Sequence, residues 1–137
     1  MEGEKKKILI VDDDSFLLDM YAFKFSQHNF DVFTATNGAG AIDKLKEGLT
    51  PDILLIDVIM PEMNGFEALE KIQEEEMCKD TVKIILSNKN QQSDVDKGMS
   101  LGVSGYIIKA NSVPSEVVNK VIGILTDKST FNKLASN

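Results

Sequence analysis

Short runs of consecutive apolar residues recur along the chain at Ile8–Val11, Val32–Ala35, Ile53–Ile56, Val82–Leu86 and Tyr106–Ile108. They are continuous rather than alternating, as expected of parallel strands covered on both faces. Between them the apolar period lengthens to that of helices. Leu17, Leu18, Tyr21 and Phe25 mark one stripe, and Ile42 and Leu45 mark another, with Gly48 placed to end it as a C-cap. Phe66, Leu69 and Ile72 follow at three-residue spacing behind Asn64, a suitable N-cap, and Glu67 and Lys71 are spaced for a favourable surface pair. Val95 and Met99 form a weaker stripe. Val117, Val118, Val121, Ile122 and Leu125 form a strong one, with Pro114 suited to its first turn. Alternation of five strands with five helices predicts an α/β fold: a doubly wound five-stranded parallel sheet with right-handed crossovers and helices on both faces.

A chain of 137 residues is long enough for one domain with a sizeable core, expected over residues 5–126. Residues 127–137 are polar apart from Phe131, Leu134 and Ala135, and read as a frayed helix extension or the start of a linker. The net charge of −7 argues against a nucleic-acid surface, which needs clustered cations. Arginine is absent, so phosphate is met only by lysine, a point charge rather than a bidentate fork. The short run Lys5-Lys6-Lys7 reads as a solvated lead-in to the first strand. Cys78 and His28 are each single, which leaves neither a disulfide, a Cys/His metal site nor a persuasive catalytic pair. No signal-peptide pattern or membrane-spanning stretch is seen, so the expected location is cytoplasmic.

The chemistry gathers at the ends of the apolar runs. Asp12, Asp13 and Asp14 follow the first, Asp57 the third, Ser87 and Asn88 the fourth, and Lys109 the fifth. In an open α/β sheet these carboxyl ends surround the ligand crevice. Carboxylates clustered without His or Cys suit a hard divalent cation, Mg²⁺ foremost. A lysine and a hydroxyl beside them suit the oxygens of a phosphoryl group, and a carboxylate is able to act as nucleophile. Blander roles compete at single positions. Asp14 fits a helix N-cap better than catalysis, Ser87 alone a turn, Tyr106 alone the core, and Asn64-Gly65 a turn into a helix. Met60 and Met63 are expected to pack.

Taken together, Ile8-Leu9-Ile10-Val11-Asp12-Asp13-Asp14, the turn from Asp57 through Met60-Pro61 to Asn64-Gly65, Ser87 and Tyr106-Ile107-Ile108-Lys109 resemble the receiver domain of the two-component response-regulator family. The resemblance covers residues 5–126 and implies a flavodoxin-like sheet. It implies that Asp57 accepts a phosphoryl group from a sensor histidine kinase or phosphotransfer protein. Asp12, Asp13, Asp57 and the backbone carbonyl of Ile59 would hold Mg²⁺, and Lys109 would pair with the phosphoryl group. Ser87 and Tyr106 would move on phosphorylation, shifting the surface of the fourth helix, fifth strand and fifth helix toward an unidentified downstream protein. Such a domain catalyses only its own phosphorylation and dephosphorylation, and needs neither nucleic acid nor membrane. Two positions depart from the family pattern: Asn88 stands where a small residue usually follows the serine, and Ala110 where a cis proline usually follows the lysine. A trans Lys109–Ala110 bond is therefore expected. Competing readings are a haloacid-dehalogenase-like phosphatase using Asp12, a degenerate receiver kept only for protein interaction, and, on fold alone, a flavin-binding protein.

Overall fold

The structure is a computed structural model that describes residues 5–126, and the tail reading for 127–137 lies outside the described residues. The strands are β1 (Lys6–Val11), β2 (Phe30–Ala35), β3 (Ile53–Ile56), β4 (Val82–Ser87) and β5 (Gly105–Ile108). The helices are α1 (Ser15–Gln27), α2 (Gly38–Lys46), α3 (Gly65–Glu74), α4 (Gln92–Ser100) and α5 (Pro114–Thr126), with a 3₁₀ turn at Lys109–Asn111. All four strand pairings are parallel and the order is β2-β1-β3-β4-β5.

The continuous apolar runs divide residue by residue between two cores, because successive side chains on a strand point to opposite faces. Leu9, Val11, Leu54, Ile56 and Ile85 pack with α2 and α3, notably Ile42, Leu45, Phe66, Leu69 and Ile72. Ile8, Ile10, Ile53, Leu55, Ile84 and Leu86 pack with α1 and α5, including Tyr21, Phe25, Val117 and Val121. Each fully buried Ile or Leu contributes roughly 1.5–3 kcal/mol by leaving water. The sheet is thus sealed on both faces, and only its edges and ends are open to polar chemistry.

Helix ends follow the local residues. Gly48 (φ +114°) closes α2 in a Schellman turn: its N–H donates to Leu45 O and the Leu49 N–H donates to Lys44 O. Asn64 caps α3 through a reciprocal pair in which its side chain accepts the Glu67 N–H and the Glu67 carboxylate accepts the Asn64 N–H, each at 2.9 Å. That bond claims Glu67, so the expected Glu67–Lys71 pair is replaced by Lys71–Glu75 at 3.0 Å. β2 begins at Phe30, two residues before its apolar run, because the exposed Asp31 interrupts the pattern of an edge strand. Lys6 and Lys7 lie within β1 rather than ahead of it, both exposed. α4 buries only Gly98 among its residues.

Candidate functional site

Strand register sets the site. Val11 pairs with Ile56, so Asp12 and Asp57 are the first residues past the paired ends of adjacent strands. Their main chains stay tied to the sheet, the Asp57 N–H donating to Val11 O at 2.9 Å and the Asp12 N–H to Ala35 O at 3.1 Å. This is where the chain order reverses, since β1 is flanked by β2 on one side and β3 on the other. On the far side of β3, Ser87 pairs with Ile108, which leaves Lys109 just past the end of β5.

Lys109 reaches back across this edge. Its Nζ donates to Asp57 Oδ2 at 2.8 Å and lies 2.7 Å from Asp12 Oδ2. Both carboxylates are buried, Asp12 1% and Asp57 6% exposed, so their charge depends on this ammonium. The contact with Asp12 is a close ion pair, and no donor other than this ammonium reaches the buried Asp12 Oδ2. Its partner oxygen Oδ1 accepts the Asp14 N–H at 2.9 Å, while Asp14 caps α1 by accepting the Leu17 N–H at 3.1 Å. Asp13 is exposed, and one carboxylate oxygen each from Asp12, Asp13 and Asp57 lies within 4.8 Å of the others. Three carboxylates against one ammonium leave the pocket an excess of negative charge and room in its chemistry for a hard cation.

The electrostatics follow from burial first. Desolvation raises the Asp12 pKa above the ordinary carboxylate value, with Lys109 and the Asp14 N–H opposing it. Burial alone would lower the Lys109 pKa, but hydrogen bonds and charge from Asp12 and Asp57 outweigh it and the net shift is upward. Burial pushes the Tyr106 phenol up to about 12, with the charges of Asp94 and Asp57 adding to the effect.

This arrangement of strand-end carboxylates and a bridging lysine lies inside a match to the response regulator receiver domain family, which extends over residues 8–121. The chain belongs to that family. As a receiver domain of two-component response regulators it is a phosphoacceptor switch. It is 31% identical over 120 residues to the alkaline phosphatase synthesis transcriptional regulatory protein PhoP of Bacillus subtilis, covering 88% of this chain and 48% of that protein. It is 32% identical over 125 residues to the response regulator SaeR of Staphylococcus aureus, covering 91% of this chain and 53% of that protein. The chain therefore covers about half the length of the curated relatives it matches. Among solved structures it resembles a CheY-like response regulator receiver domain protein from Methanospirillum hungatei JF-1, with a TM-score of 0.81 and 25% identity, covering 93% of this chain and 98% of that one. No helix among the described residues is long and apolar enough to cross a membrane.

Within the receiver frame, Asp12, Asp13, Asp57 and Lys109 come together, whereas Ser87 and Tyr106 meet elsewhere. The buried Ser87 Oγ accepts the Lys89 N–H at 3.2 Å, and Tyr106 Oη donates to Lys89 O at 2.7 Å. Ile59 has an exposed side chain and an N–H that donates to Asp57 Oδ1 at 3.3 Å. Met60 is buried and Met63 packs against the same core. The Lys109–Ala110 bond is trans, since the described backbone contains no cis peptide.

Two features went unread in the sequence. Gly65 approaches Asp57 so closely that a Cβ there would stand 2.2 Å from Asp57 O and 2.9 Å from Val58 Cα, so glycine shapes the loop that follows Asp57. Asn88 Oδ1 accepts the Ala110 N–H at 2.8 Å, joining the two residues that depart from the family pattern. The available signal was Ala110 itself: without proline at that position an N–H needs a partner.

Proposed function

We propose that Asp57 is the phosphoacceptor of this switch, taking its phosphoryl group from the phosphohistidine of a sensor kinase or phosphotransfer protein. One Asp57 oxygen forms the new bond to phosphorus, the bond from phosphorus to the imidazole nitrogen breaks, and that nitrogen leaves with its electron pair. The observation that carries the reading is the Lys109 ammonium held between Asp57 and Asp12 in an otherwise acidic strand-end pocket. Lys109 is charged at neutral pH and stands where the oxygens of an Asp57 phosphoryl group need a partner.

Mg²⁺ fits the residues present: Asp12, Asp13, Asp57 and the Ile59 carbonyl would hold it, since three carboxylates converge and one ammonium answers them. When bound, the ion supplies positive charge to the phosphoryl oxygens. Ser87 and Tyr106, both joined to Lys89, are the proposed switching pair. Movement of the Ser87 hydroxyl toward a phosphoryl group would break its bond with the Lys89 N–H and free the turn before α4. The output would then pass through α4, β5 and α5 to a downstream protein, with the domain at 5–126 acting in the cytoplasm, alone or within a longer regulator.

Incubation with acetyl phosphate and Mg²⁺, followed by a phosphate-affinity gel, tests the reading. Wild type is expected to shift and Asp57→Asn to stay unshifted. A shift that survives Asp57→Asn but is lost in Asp12→Asn would instead support nucleophilic Asp12 chemistry of the phosphatase type.

A further inference from the structure

The β4–β5 ladder ends at the pair Ser87 and Ile108, yet one more bond joins the two chains beyond it. The Ala110 N–H donates to the Asn88 side-chain oxygen at 2.8 Å, and the other polar group of the same peptide, Lys109 O, accepts the Ser112 N–H at 3.1 Å. Both ends of the peptide that follows Lys109 are thereby held. The Ser112 bond is internal to the turn; the Asn88 bond alone ties this peptide to the strand that carries Ser87. It needs both residues, because proline at 110 has no N–H to give and alanine at 88 has no side-chain oxygen to receive it.

From this we propose that Asn88 is a positioning residue for Lys109, an inference that rests on the phosphoacceptor reading of Asp57. Two carboxylates hold the Lys109 ammonium at its tip. A cation would compete for those same carboxylates, and a phosphoryl group on Asp57 would draw the ammonium to its own oxygens, so the tip changes partners as the reaction proceeds. What then fixes the lysine is its backbone, and Asn88 supplies the anchor between the hydroxyl-bearing and lysine-bearing loops. The bond sits one residue past Ser87 and one past Lys109, so it couples the placement of the two groups that flank the acceptor. It acts through Lys109, not on the phosphoryl group.

Asn88 is exposed, so Asn88→Ala should fold as wild type does. The test compares both chains with acetyl phosphate as donor and adds amide hydrogen exchange at Ala110. In Asn88→Ala the Ala110 N–H is expected to exchange faster, and the maximal rate of Asp57 phosphorylation to fall about three- to tenfold, the range that the net worth of one hydrogen bond supports. The half-saturating acetyl phosphate concentration and the Mg²⁺ affinity are expected to hold, which separates lysine placement from a general loosening of the pocket. An unchanged maximal rate in Asn88→Ala overturns the inference alone, as does a fall matched by lost Mg²⁺ affinity. A wild-type chain that accepts no phosphoryl group overturns the underlying reading and this inference together.

Discussion

Lys83 and Lys109 are both half-buried and stand at opposite ends of the β4–β5 half of the sheet, one near the start of β4 and the other just past β5. Lys83 Nζ donates to two carbonyls, Cys78 O at 2.8 Å and Thr81 O at 3.3 Å. These carbonyls belong to a turn where Glu76 (φ +54°) and Cys78 (φ +56°) both adopt left-handed backbone. Burial outweighs the opposing effect of nearby Cys78, and the Lys83 pKa falls. Lys109 meets two buried carboxylates, and there the carboxylates win over burial and its pKa rises. The same side chain, similarly buried, pins a strained turn at one end and balances an excess of negative charge at the other. Full charges, rather than burial, separate the lysine that holds a turn from the one that answers the strand-end carboxylates.

The comparison breaks most sharply on paired substitutions. Lys109→Met is expected to slow Asp57 phosphorylation by roughly 10²–10³-fold, the usual loss when one group that stabilises transferred charge is removed. Lys83→Met should leave the rate unchanged, and the same acetyl phosphate time course reads both. Gly65→Ala comes next. Its Cβ would meet backbone of Asp57 and Val58 that has no flexible end to yield, so urea unfolding should show a loss of about 1–3 kcal/mol or more, with slowed phosphorylation.

Asp12→Asn should move stability and function in opposite directions. Because burial raises the Asp12 pKa in the folded chain, the stability linked to its proton is full below the ordinary value near 3.8 and lost as pH rises through the raised one. At neutral pH the ionised group is therefore a cost. The substitution is expected to gain about 1 kcal/mol there. That gain should vanish in acid, as followed by thermal unfolding against pH, while Mg²⁺ affinity falls. The smallest effect is on the fold at the other end: Lys83→Met should lose about 1 kcal/mol in urea unfolding through its two unanswered carbonyls.

Much of the fold was legible because burial on both faces writes itself as unbroken apolar runs, and the fully buried segments Ile8–Val11 and Ile53–Ile56 show this most clearly. Phe30 was missed at the start of an edge strand, where one exposed aspartate breaks the run. α4 gave a weak stripe for a physical reason: it is held by the close approach of Gly98 to Ile85 and Tyr106 rather than by a large apolar face. The strand-end residues Asp12, Asp57 and Lys109 were visible because parallel strands deliver their carboxyl ends to one edge. What stayed hidden depends on cross-loop register or on competition for a partner. Asn88 finds the Ala110 N–H only after β4 and β5 are aligned, and Glu67 is taken from Lys71 by the main chain of Asn64.

The central claim is that one carboxylate in an acidic cluster, Asp57, carries the phosphoryl group. Site mapping by mass spectrometry after treatment with phosphoramidate and Mg²⁺ tests it most directly. One phosphoryl group per chain, on the peptide bearing Asp57 and absent from Asp57→Asn, is the predicted result. A phosphoryl group on Asp12 or Asp13, or none at all on a folded chain that binds Mg²⁺, would contradict it.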